Sequence, residues 1–330
     1  MPTLYVTEQG ARLEKEYGRI LVVKEDAPLL AVPFARVDQV VLVGRVGVTT
    51  PLLHELLDKG VTLSLLNRWG KLRGRLMPPA PKNLPLRIQQ IACAGDGAFC
   101  LALSRELVRG KITNARTYAR RLARNQDMKA DICFTRMNDT LKALPDAADP
   151  DRLRGLEGAA SRAYFGVLRR ALDPEWRFPR RTRRPPTDPV NALLSLGYTL
   201  LAENVAAACE VVGLDPYVGF FHTNKYGRPA LALDLMEEFR SVIVDSLVYS
   251  LISRGRFQPD DFRPGPNGGV YLRGPGLKRF FNAYADTLQR EVKVKEVGRR
   301  LSYQKILEVQ ARKVRKIIEG GGVYMPYLTR

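Results

Sequence analysis

Residues 77–85 read Met-Pro-Pro-Ala-Pro-Lys-Asn-Leu-Pro, with prolines at 78, 79, 81 and 85. Four prolines so close together remove four amide donors and lock four φ angles, so neither a helix nor an inner strand runs through the stretch. It reads as a stiff extended linker over 78–90. Before it, residues 5–6, 20–23, 29–32, 37–43, 61–66 and 71–77 are short β-branched and aliphatic runs, broken at Gly18, Pro28, Gly44 and Gly70. One helix is expected among them, with Thr50 as N-cap, Pro51 in its first turn, and Leu52, Leu53, Leu56 and Leu57 as a stripe closed by Gly60. After the linker the apolar period becomes helical over roughly 98–126, 151–172, 187–212, 232–253, 276–292 and 301–319. The expected fold class is α+β in two domains: a β-rich domain with one helix at 1–77, and a larger all-helical domain at 91–330.

Charge narrows the partners. The 330 residues include 53 Lys and Arg against 34 Asp and Glu, a formal net charge of +19. Residues 1–85 hold 12 basic and 8 acidic side chains, so the other 41 and 26 leave +15 on the helical part. With 45% apolar residues the chain can bury a core, which excludes a disordered basic tail and points to a folded partner of polyanions. Its start lacks a secretory pattern, and no run approaches the 18 or so uninterrupted apolar residues of a spanning helix. Four cysteines without a CxxC pair argue against a zinc site or a disulfide framework and fit a reducing cytoplasm.

Three basic runs stand out. Arg105, Arg109, Arg116 and Arg120 share one helix face, and residues 290–330 hold 11 basic and 4 acidic side chains. A solvated surface explains either run. The third, Arg177-Phe-Pro-Arg180-Arg181-Thr-Arg183-Arg184, has five arginines in eight residues and no acid. Uncompensated charge of that density favours phosphate contact. A membrane face is disfavoured because no long apolar face accompanies the charge.

Within so basic a chain, clustered acids need a reason. Pro229 can start a helix whose buried stripe is Leu231, Leu235, Phe239 and Val242. Asp234 and Glu237 then project from one adjacent face, and His222 lies in the loop just before. Carboxylates with one imidazole suit Mg2+ or Mn2+. A solvated helix face and a satisfied loop histidine account for the same spacing, and spacing leaves both readings open. Glu157 is a third candidate acid; Gly158, Ala159 and Ala160 beside it would let another helix approach.

Taken in order, Gly110-Lys111-Ile-Thr-Asn114-Ala-Arg116, Leu156-Glu157-Gly158-Ala with Tyr164-Phe165, the segment from Arg184 through Asp188 and Asn191 to Tyr198, Gly219-Phe-Phe-His222, and Ala232-Leu-Asp234-Leu-Met-Glu237-Glu238-Phe-Arg240 resemble the CRISPR-associated adaptation integrases. The resemblance covers the β-then-helical layout of the whole chain, and the closing 320–328 resembles members from type I systems. It implies a Mg2+ or Mn2+ site on Glu157, His222 and Glu237, which would also be the catalytic residues, with Asp234 as a supporting acid. It implies a homodimer formed through the β domain and a small second adaptation protein as partner. It implies double-stranded DNA as substrate, both the captured fragment and the CRISPR repeat, joined by transesterification. Arg177, Arg180, Arg181, Arg183, Arg184, Lys225, Arg228 and Arg240 are the candidate DNA contacts. Two rival readings share the charge: a stand-alone branched-DNA nuclease with the same site, and a non-enzymatic basic DNA-binding protein.

Overall fold

The computed structural model describes residues 3–70, 72–78, 83–183 and 185–329. Arg184, Lys71 of an expected strand and residues 79–82 of the expected linker lie outside the described residues. The chain forms two compact units. The first comprises Met1–Ala80, Asp261–Arg263 and Tyr271–Lys305; the second comprises Pro81–Asp260, Pro264–Val270 and Ile306–Arg330.

The first unit is built on two four-stranded sheets. One has the order β1 (Thr3–Val6), β5 (Gln39–Val43), β7 (Thr62–Leu66), β8 (Leu72–Leu76), parallel except at β8. The other has the order β4 (Ala27–Pro33), β3 (Arg19–Lys24), β2 (Arg12–Glu16), β6 (Gly47–Val48). Glu25 and Asp26 both adopt positive φ (51° and 60°), the mirror-type turn whose twist suits the β3–β4 hairpin. All five residues of β5 are buried, as befits an inner parallel strand covered on both faces. Helix α1 (Thr50–Asp58) connects β6 to β7 and packs Leu52 and Leu56 into a core with Leu13, Ile20, Val40 and Leu63. Thr49, not Thr50, holds its cap position, and no side chain caps it.

Residues 271–305 belong to this unit although their helical pattern groups them with the second. The buried stripe of α9 (Gly274–Gln289), with Leu277, Phe280, Phe281 and Tyr284, explains this: Tyr5 stacks on Phe281 at 5.1 Å, and Trp69 packs on Tyr271 at 5.0 Å. After it, β11 (Glu291–Val294) and β12 (Arg299–Ser302) form an antiparallel ribbon that turns at Gly298 (φ 70°). The alternation there is mostly polar, so the sequence hides it between two expected helices. β9 (Phe262–Pro264) and β10 (Val270–Leu272) form another ribbon.

The second unit is helical: α2 (Leu84–Gly95), α3 (Gly97–Asn125), α4 (Asp131–Ala143), α5 (Pro150–Ala171), α6 (Pro189–Val211), α7 (Ala230–Met236), α8 (Ser246–Ser253) and most of α10 (Tyr303–Ile318). α2 begins inside the stretch expected to be linker. Asn83 caps it through the Leu86 amide (3.3 Å), and Pro85 fits the first turn, where a missing amide costs nothing. α3 packs on α5, and α5 on α4. α6 is long and apolar enough to cross a membrane by length and composition, yet 83% of that window is buried within the protein. It is apolar nearly all round because it is a core helix.

Candidate active site

Asp149 starts α5 by accepting from the Asp151 and Arg152 amides (2.9 and 2.8 Å), with Pro150 at the first helical position. Two turns in, Glu157 projects toward α3. Its Oε1 accepts from Ser161 Oγ (2.8 Å) and from the ammonium of Lys111. The same ammonium lies 2.6 Å from Glu237 Oε2. Glu237 opens the 3-10 turn Glu237–Phe239 at the end of α7, and the chain continues through the π-helical turn Arg240–Asp245 before α8. Glu237 Oε1 faces His222 Nε2 at 3.8 Å and an Arg240 guanidinium nitrogen at 3.4 Å.

Burial by itself would raise the Glu237 carboxyl, but Arg240, Lys111 and His222 together outweigh it and hold the group at about 2. Its Oε2 is buried and, although close to the Lys111 charge, has no donor aligned with it as a hydrogen bond.

Asp234 is wholly buried beneath His222. Its Oδ2 accepts from the Phe220 and Phe221 amides (2.7 and 3.0 Å), and its Oδ1 accepts from the His222 amide (2.8 Å). Oδ1 also lies 2.7 Å from His222 Nδ1. A carboxylate oxygen accepting the Nδ1–H hydrogen bond fixes the ring with Nε2 turned to Glu237. This fit needs Gly219: a Cβ there would lie 2.6 Å from the Ala230 carbonyl carbon and 2.8 Å from Asp234 Oδ2. What separates Asp234 from Glu237 is therefore the imidazole, and the cation sits instead between Glu237 and Glu157.

Lys111, Glu157, Glu237 and Arg240, but not His222 or Asp234, border a cavity of about 520 Å3 lined also by Tyr164, Phe165, Tyr198 and Asp245, and by Arg180, Arg181 and Arg183 of the arginine-rich loop. Gly158 and Ala160 line it too, and a Cβ at Gly158 would meet only the Arg162 side chain at 3.5 Å. Gly158 thus keeps space open beside Glu157. The loop is anchored by the start of α6. Asp188 caps that helix, and Asn191 accepts from the Thr182 amide (2.9 Å) and from Arg181 (2.8 Å) while donating to the Arg180 carbonyl (2.8 Å). Arg181 and Arg240 place their guanidinium groups over the Tyr198 ring, at 5.2 and 4.4 Å. Buried Asp245 accepts from Tyr198 (2.5 Å) and Tyr164 (2.8 Å); burial outweighs these bonds and raises its carboxyl to about 6.

The other candidates fall elsewhere. Arg177 is exposed and does not line the cavity, and Lys225 and Arg228 lie on the loop before α7, also outside the lining. Arg105, Arg109 and Arg116 of the α3 face have partners within the unit: the Ala147 carbonyl, Glu106 and Asn138. Lys111 lies in a family-like segment but is not among the residues that sequence reasoning selects for the site. It stands 46 residues from Glu157 and 126 from Glu237, so only the fold brings the three together. The family-like segments also contain Tyr164 and Tyr198, the donors to Asp245.

Among the described residues, no three of His, Cys, Asp and Glu stand together as a ready metal cluster. The donor chemistry still suits a hard divalent ion: two carboxylates, one oriented imidazole nitrogen and a buried carboxylate oxygen without an aligned donor.

A family model for "CRISPR associated protein Cas1" matches residues 4–286. A CRISPR-associated endonuclease Cas1 of Thermus thermophilus is 39% identical over 311 residues, which is 94% of this chain and 91% of that one. Among solved structures, a casposase bound to an integration product matches with TM-score 0.85 at 24% identity, over 99% of this chain and 93% of its own. A Cas6-RT-Cas1–Cas2 complex contains a chain matching with TM-score 0.84 at 24% identity; the match spans 99% of this protein and 36% of that longer chain. With a family match along most of its length and a relative this similar, the chain belongs to the family of CRISPR-associated Cas1 proteins.

Proposed function

We propose that this protein is a divalent-metal-dependent DNA endonuclease and integrase of CRISPR spacer acquisition. In the reaction, a fragment's 3′-hydroxyl oxygen forms a new bond to a repeat-boundary phosphorus. The bond to the repeat strand's own 3′-oxygen breaks, and that oxygen leaves with a proton. The observation that carries this reading is that Lys111 bridges Glu157 and Glu237 at an arginine-lined cavity while His222 Nε2 faces Glu237 at 3.8 Å.

Glu157, His222 and Glu237 would hold Mg2+ or Mn2+, which when bound activates the hydroxyl and steadies charge on the phosphorane-like transition state. Asp234 keeps the imidazole turned so that Nε2, not Nδ1, faces the site. Arg181 and Arg240, held against Tyr198, form a cationic wall for a phosphate. Arg177, Arg180, Arg183 and Arg184 would extend it along the DNA backbone, with Lys225 and Arg228 as outlying contacts. A homodimer through the β-rich unit, a small second adaptation protein and a cytoplasmic setting complete the reading. The Cas2-containing complex and the integration-product complex among the similar structures support the DNA and the second protein.

Glu157→Ala, His222→Ala and Glu237→Ala each should abolish Mn2+-dependent joining of a fragment to a repeat duplex while DNA affinity stays largely intact, because the arginines remain. Joining by these variants, or by the wild type in excess chelator, would overturn the reading.

A further inference from the structure

Two carboxylates this close repel unless a cation lies between them. Here the protein supplies its own. The Lys111 ammonium contacts Glu157 Oε1 and lies 2.6 Å from Glu237 Oε2, and its side chain is only 13% exposed. The helix beneath it is pinned to the Glu237–Glu238 turn. Asn114, one turn on, donates to the Glu238 carbonyl and to the Tyr327 carbonyl, both at 2.8 Å. At Gly110 a Cβ would lie 2.6 Å from Pro326 Cβ and 3.1 Å from Glu238 Cγ. The lysine is therefore delivered to the two acids by fixed backbone, and it lines the cavity of about 520 Å3.

We propose that Lys111 is a placeholder cation, which occupies the space between Glu157 and Glu237 until a divalent ion takes the same oxygens, and then withdraws into the cavity. This rests on the metal-site reading above. Lysine suits the part because its ammonium is a compact point charge on a flexible stem. The two cations are mutually exclusive at Glu157 Oε1 and Glu237 Oε2, so Lys111 sets how much ion is needed to load the site. Withdrawn, the ammonium joins Arg181 and Arg240 where a phosphate would arrive.

The test is Mn2+ alone, titrated by calorimetry into the full chain without DNA. Lys111→Met should bind Mn2+ about tenfold more tightly than the wild type, equivalent to about 1.4 kcal/mol. Its melting temperature should be lower without Mn2+ and rise further on adding it. Lys111→Gln, which keeps a donor and similar length without the charge, should also bind more tightly, and stands in if the methionine variant does not fold. Equal or weaker Mn2+ affinity in these variants, with wild-type binding intact, would overturn the placeholder and leave the metal site standing. An absence of Mn2+ binding in every form would overturn both.

Discussion

Glu237 and Glu238 are adjacent, both buried, and face opposite kinds of surroundings. Glu237 looks into the cavity, where Lys111, Arg240 and His222 surround it and hold its carboxyl at about 2. Glu238 points the other way and is hydrogen-bonded to neutral donors, with the Lys313 charge the weakest influence on it. Its Oε1 accepts from the Tyr324 hydroxyl, and its Oε2 accepts from Gln310 Nε2 (3.0 Å) and the Tyr327 amide (2.7 Å). Burial dominates there and raises that carboxyl to about 7. The difference separates two uses of a buried acid. Facing cations, it stays charged and can exchange one cation for another; facing neutral donors, it clamps the C-terminal segment 324–329 onto the turn that carries its neighbour. Phe239 adds to the clamp by stacking on Tyr327 at 5.4 Å.

Replacing each side in turn tests this contrast. The largest effect is expected at Glu237. Glu237→Gln should lower the joining rate by at least about 10²–10³-fold, the scale of removing one group that stabilises transition-state charge. A variant retaining wild-type rate would break the assignment of the cationic side to chemistry.

Next is the arginine loop. Replacing Arg180, Arg181 and Arg183 together by Ala should weaken duplex binding and flatten the plot of log affinity against log salt by about 0.9 for each phosphate they no longer neutralise. An unchanged slope would mean that these arginines meet no phosphate.

The third expectation concerns pH. A carboxyl raised to about 7 by folding binds its proton more tightly in the native state, so Glu238 contributes stability that is full below about 4.5 and lost as pH rises through about 7. Glu237 acts in the opposite sense: its contribution is present above about 4.5 and lost as pH falls through about 2. Melting temperatures of Glu238→Gln across pH 4–8 should therefore decline less with rising pH than those of the wild type. Parallel curves would remove the neutral environment inferred for Glu238. The smallest effect is expected at Tyr324→Phe, which removes two hydrogen bonds, one donated to Glu238 and one accepted from Gln310, and should cost about 1 kcal/mol of stability for each by denaturant unfolding, with Mn2+ affinity unchanged.

The same two acids mark how far sequence reasoning reaches. Asp234, Glu237 and His222 are legible because one short helix and its preceding loop carry all three, and Glu157 enters through a family-like segment. The β-then-helical order follows from the proline break and the change of apolar period. Lys111 and the Glu238 clamp are not legible, because the site and the clamp depend on distant segments meeting across α3, α5, α7 and the C-terminal residues. α4 escapes notice because no side chain caps its start and its pattern is only weakly apolar. The assignment of residues 271–305 to the first unit depends on ring contacts such as Tyr5 with Phe281, which no local pattern encodes.

The central claim, that Glu157, His222 and Glu237 form one metal-binding site, has a direct test. Crystals of the full chain soaked in Mn2+ and measured at the manganese absorption edge should give an anomalous peak touching Glu157, His222 Nε2 and Glu237. Peaks found only at surface acids, with none among these three side chains, would contradict it.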